Sequence, residues 1–105
     1  MLLRGKKLGV LISADPAREN FARGLRLAET ALAEGLEVYL YCVDDAVAGA
    51  WDPKLQRLQG RGLKLFACAY AAHRRKLPLG DGPLFTGLSV VSDLISATDR
   101  FISFN

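Results

Sequence analysis

Five short apolar runs, separated by stretches whose apolar residues recur at helical spacing, constrain this chain more than any other feature. The runs are "LGVLIS" (Leu8–Ser13), "LEVYLYC" (Leu36–Cys42), "LKLFA" (Leu63–Ala67), "LFT" (Leu84–Thr86) and "RFISF" (Arg100–Phe104). The first is continuous rather than alternating, as in a strand covered on both faces, and the second is rich in β-branched and aromatic residues. Between the first two, Phe21, Leu25, Ala28 and Leu32 form one helical stripe. Asp15 and Pro16 predict its start, as N-cap and first helical residue, and Gly35 its stop.

The pattern then repeats. Asp52 and Pro53 predict a second helix start, with Leu55 and Leu58 turned inward and Gly60 or Gly62 as the stop. Ala46–Trp51 is expected to add a short helical turn before it. "CAYAAHRRK" carries no breaker before Pro78 and predicts a helix starting near Cys68. Val90, Val91, Leu94 and Ile95 form the last helical stripe. Strands that alternate with helices imply right-handed crossovers. The expected fold class is therefore α/β, a three-layer α/β/α sandwich around a mostly parallel five-stranded sheet, built as a single domain over residues 1–105.

Charge and cysteine usage exclude several functions. The formal net charge of +3 is spread over both signs, and the basic clusters Arg4–Lys7 and Arg74–Lys76 contain no aromatic residue. Direct nucleic-acid binding is thus not expected. The apolar run Leu8–Ile12 is far too short for a signal-peptide core or a membrane span, so a cytoplasmic location without membrane contact is expected. In that reducing compartment Cys42 and Cys68 should be thiols. They stand 26 positions apart, form no CxxC pair and are accompanied by one histidine, so no metal site is expected. Neither GxGxxG nor GxxxxGK[ST] occurs, and the phosphate-cradling loops of nucleotide-binding α/β proteins are absent with them.

In a parallel sheet, chemistry gathers at the carboxyl ends of the strands. Asp15, Cys42 with Asp44 and Asp45, Cys68, and Thr86 with Gly87 fall at that edge. Cys68 is the strongest candidate. At a strand-to-helix junction the unpaired N–H groups of the first turn favour an anionic sulfur, and Ala71 and Ala72 are too small to cover it, which predicts a reachable thiol. The alternative is a buried cysteine acting as a small hydrophobe. His73 lies five residues on, about 7.5 Å along a helix, and is no local partner for the sulfur. Asp44 and Asp45 read as helix caps, Arg74 and Arg75 as a solvated helix terminus or a surface that docks an acidic partner, and Trp51 as a core cover or a partner anchor. A disulfide between Cys42 and Cys68 depends on strand order.

Two segments carry a specific resemblance. "ACAYAAHRR" resembles the reactive-cysteine segment of the DsrE/DsrF-like family, above all its TusD-type members: a cysteine at a strand end, an alanine-rich helix and an Arg-Arg pair. "TGLSVVSDLISATDRFISF" resembles the family's C-terminal segment, and Val10–Val47 is similar to its opening βαβ unit in outline. One departure is Lys76, which stands where the family often has glycine; another is the short stretch from Lys76 to Leu84.

The resemblance implies a three-layer α/β/α fold and a sulfur relay, as sulfur carrier or sulfurtransferase subunit. Cys68 would accept sulfane sulfur as a persulfide and hand it to a cysteine of another protein. It further implies no cofactor, partners that are sulfur donor and acceptor proteins, and homo- or hetero-oligomers. Arg74, Arg75 and Lys76 would then be a docking surface. The competing expectation is a non-catalytic DsrE-like binding module in which Cys68 is structural.

Overall fold

The computed structural model describes residues 3–105, so residues 1 and 2 of the expected domain lie outside the described residues. The elements are β1 (Lys7–Ile12), α1 (Glu19–Ala33), β2 (Glu37–Cys42), a 3-10 segment (Asp44–Gly49), α2 (Pro53–Gly60), β3 (Lys64–Cys68), α3 (Ala69–Arg74), β4 (Leu84–Thr86), α4 (Ser89–Ala97) and β5 (Arg100–Phe104). The five strands form one sheet in the order β4-β3-β2-β1-β5, every pair parallel. The expected α/β architecture is therefore present, with helices on both faces.

Registration assigns the faces. Ile12 lies beside Cys42, and Cys42 beside Ala67, so these side chains share one face. On it α1 approaches so closely that a Cβ added at Gly24 would fall 2.6 Å from the Ile12 Cδ1. Helix α2 joins α1 there through a Lys54–Glu29 ion pair. Val10, Ile12, Val38, Leu40, Phe21, Leu25, Leu55 and Leu58 fill this layer, all buried. The opposite face is thinner. Helix α4 packs on β1 and β5 and buries only Leu94 of its own side chains, while Leu84 and Leu88 stay more than half exposed.

Three helix ends share one backbone solution. Gly35 and Gly62 have φ of 89° and 108°, and behind each the next residue's N–H reaches back to a carbonyl inside the helix, Leu36 to Ala31 and Leu63 to Leu58. This is the left-handed cap that glycine favours. Gly62, not Gly60, therefore stops α2. At the end of α3 Lys76 adopts the same geometry, with φ of 56° and the Leu77 N–H bonded to Ala72 O.

Two starts differ in outcome. Asp52 caps α2 through a 2.8 Å bond from the Lys54 N–H, with Pro53 in the first turn. Asp15 does not cap α1: its carboxylate accepts from the Ala17 N–H and its carbonyl from Arg18, closing a turn, and the helix begins only at Glu19. The short-range bonds of Asp15 outcompete the helical ones.

Candidate functional site

Residue Cys68 ends β3 and caps α3, with its sulfur accepting the Ala71 N–H at 3.4 Å. Both neighbours in the sheet bring polar groups to it. Thr86 of β4 is its register partner, and Tyr41 of β2, the partner of Phe66, shares the same face. The Tyr41 hydroxyl lies 3.2 Å from Thr86 O and 3.0 Å from Gly87 O, and it accepts from the Thr86 hydroxyl at 3.1 Å. The phenol titrates above its ordinary value. Burial is the main cause, the Thr86 hydrogen bond opposes it, and the charge and hydrogen bonding of Cys68 add to it.

The sulfur is not reachable as expected. Cys68 is only 1% exposed. Ala71 and Ala72 are indeed small, but the cap bond draws the sulfur inward, beneath the first turn of α3, and both alanines are buried with it. Exposure of the thiol therefore requires the structure around it, the first turn of α3 included, to move.

Cys42 is settled by registration. It lies on β2, adjacent to β3, but it pairs with Ala67 and so points to the face opposite Cys68. Adjacent strands do not help when the sulfurs are on opposite faces, and both cysteines are free. Complete burial against apolar side chains pushes the Cys42 thiol up to about 12.

The basic cluster divides three ways. Arg75 folds back along α3, donates to Ala71 O at 3.2 Å and pairs with Asp45 of the 3-10 segment at 2.7 Å. Arg74 lies over the Tyr70 ring, 5.9 Å from its centroid, and bonds its hydroxyl. Lys76 is exposed at the helix end. Asp44, Tyr70, Ala71, Arg74 and Arg75 line a cleft of about 350 Å³ whose floor, Ala71, also holds the Cys68 sulfur. A larger cavity, about 510 Å³, opens at the amino edge of the sheet among Leu8, Leu27, Leu36 and Ile102. It lies at the edge of the sheet opposite Cys68, and neither cysteine lines it.

The remaining candidates fall outside this group. Asp44 and Asp45 open the 3-10 segment without a side-chain cap bond, so the cap expectation fails; Asp45 is instead the partner of Arg75. The helical turn expected over Ala46–Trp51 is this 3-10 segment, two residues earlier. His73 is exposed on α3. Trp51 packs on Phe85, with ring centroids 5.7 Å apart, and its Nε1 donates to Asp81 O, so it covers the core and anchors the loop before β4. Among the described residues no cluster of three or more His, Cys, Asp or Glu could hold a metal.

A model of the DsrE/DsrF-like family matches residues 6–104. The chain belongs to the DsrE/DsrF-like family. Among solved structures, a chain described as the ychN protein from E. coli superposes with a TM-score of 0.78 at 22% identity, covering 95% of this chain and 99% of that one. At that identity the likeness is one of fold. The chain has no significant match among curated proteins. The DsrE/DsrF-like match spans both the cysteine segment and the C-terminal segment that carried the resemblance in the sequence.

Tyr41 is the residue of this site that sequence reasoning missed. Alternation places Tyr39 and Tyr41 on one face of β2, but only the β2–β3–β4 registration sets Tyr41 beside Cys68 and Thr86.

Proposed function

We propose that this chain is a sulfur-relay subunit that carries sulfane sulfur on Cys68. The observation that supports it most is the placement of the one cysteine of the family-like segment: its sulfur stands at the carboxyl end of a parallel strand, on the Ala71 N–H. The Cys68 thiolate attacks the outer sulfur of a donor persulfide, the donor S–S bond breaks, and the donor cysteine leaves as a thiolate. An acceptor thiolate then attacks the outer sulfur now on Cys68, and Cys68 leaves in turn. Electrons balance in each exchange, so neither step calls for a metal, an organic cofactor or an oxidant.

Transfer needs the buried sulfur uncovered, which fits a partner that engages the cleft beside α3. Lys76 and the outer face of Arg74 offer positive charge to an acidic donor or acceptor, whereas Arg75 is already engaged by Asp45. The thinly covered sheet face, with Leu84, Leu88 and Ile95 exposed, suits assembly with copies or related subunits. Among the described residues no helix is long and apolar enough to cross a membrane, and thiol chemistry of this kind belongs in a reducing cytoplasm.

The burial of Cys68 favours a second reading, a non-catalytic DsrE-like binding module with a structural cysteine. Incubation with a cysteine desulfurase and cysteine separates the two. The relay predicts one added sulfur atom on the Cys68 peptide by mass spectrometry; the module predicts an unmodified peptide.

A further inference from the structure

The phenol of Tyr41 has one proton and too many acceptors. Its side chain is fully buried and stacks on Phe66, with ring centroids 6.3 Å apart. The Thr86 hydroxyl already donates to the phenolic oxygen, so the single O–H is shared between Thr86 O and Gly87 O. The Cys68 sulfur lies on the same face of the sheet and adds its charge and hydrogen bonding to the burial that raises the phenol's titration. While the sulfur is neutral the carbonyls are the better acceptors. A charged acceptor changes the balance, because hydrogen bonds to ions are roughly twice as strong as neutral ones.

We propose that Tyr41 is a positioning residue for Cys68, its O–H turning from the β4–α4 carbonyls to the sulfur when that sulfur carries negative charge. The assignment rests on Cys68 as the working nucleophile of the relay. Its consequence is a link between the charge of the sulfur and the corner Thr86–Leu88. When the phenol turns, the Gly87 and Thr86 carbonyls lose a donor, and a carbonyl without a partner favours water over the interior. Gly87 and Leu88 are already exposed, so the corner can take up that water by moving outward, away from the buried sulfur. Ionisation or persulfidation of Cys68 thereby loosens the cover that keeps it closed.

The charged groups on Cys68's own strand and on the elements packed against it are Lys64 of β3, Glu37 of β2, Lys54 and Arg57 of α2, Arg74 and Arg75 at the end of α3, and Asp44 and Asp45 of the 3-10 segment. The other titratable side chains there are Tyr39 and Cys42 of β2, with Tyr70 and His73 of α3. All are retained in Tyr41→Phe, which keeps the ring stack and removes only the hydroxyl.

The test follows the ultraviolet absorbance of the Cys68 thiolate against pH in the full chain and in Tyr41→Phe. Cys42, held near 12, stays silent around neutrality. Loss of the donor moves the half-way pH up by about one unit. An unchanged or lower half-way pH overturns the assignment, because a tyrosine whose O–H stays on the Thr86 and Gly87 carbonyls gives the thiolate no donor to lose. If Tyr41→Phe does not fold, the tyrosinate absorbance of Cys68→Ser decides. Removing the thiolate moves one tyrosine to lower pH, and an unshifted tyrosine titration refutes the contact. Neither measurement uses a sulfur donor, so a chain that passes them and yet takes up no persulfide fails as a relay and not in this assignment.

Discussion

Replacing Cys42 by alanine should flatten the alkaline stability profile of the protein. In the folded chain the buried thiol is pushed up to about 12 from an ordinary 9.0, with burial as the cause. The unfolded chain therefore releases this proton first as pH rises. Stability from the neutral thiol is complete below about pH 9 and is lost progressively towards pH 12, a direction fixed by the unfolded state binding fewer protons in that window. At about pH 10 an unfolded thiol at 9.0 is ten parts ionised to one, which lowers stability by about 1.4 kcal/mol; across the whole window the loss approaches roughly 4 kcal/mol. Urea unfolding at about pH 7 and about pH 10 gives the two slopes. Cys42→Ala lowers stability at both values by leaving a cavity, but its loss between them should be smaller than that of the parent by about 1.4 kcal/mol, since other titrations cancel in the difference. Equal losses in the two chains would refute the assignment of Cys42 as a buried, neutral thiol.

Two further predictions concern the frame around the site. Asp52→Ala removes the 2.8 Å cap on the Lys54 N–H and should cost about 1 kcal/mol in urea unfolding, and a change below a few tenths would deny the cap its role. Lys76→Gly relieves a non-glycine residue at φ of 56°, in the position that Gly35 and Gly62 occupy at two other helix ends, and should raise stability by about 0.5–1 kcal/mol; a lower unfolding midpoint contradicts this.

Much of the fold was legible because periodicity and punctuation agreed. The five apolar runs are the five strands, Asp52–Pro53 opens α2, and Cys68 stands at the junction of β3 and α3. Asp15–Pro16, the same dipeptide in print, failed as a helix start because the Asp15 carboxylate and carbonyl close a turn on Ala17 and Arg18. Strand neighbours are not written in any one segment. The order β4-β3-β2-β1-β5 decides that Cys42 faces away from Cys68, that Tyr41 and Thr86 meet beside it, and that the sulfur is enclosed rather than open. The Lys76 departure from the resembling family also acquires a physical meaning: it sits where the backbone asks for glycine.

The central claim is that Cys68, and no other group, carries sulfur. Its most direct test is the intact mass of three chains after exposure to a cysteine desulfurase and cysteine. The account predicts one added sulfur, removable by reductant, on the parent and on Cys42→Ala, and none on Cys68→Ser. An adduct that survives Cys68→Ser, or its absence from the parent, would contradict it.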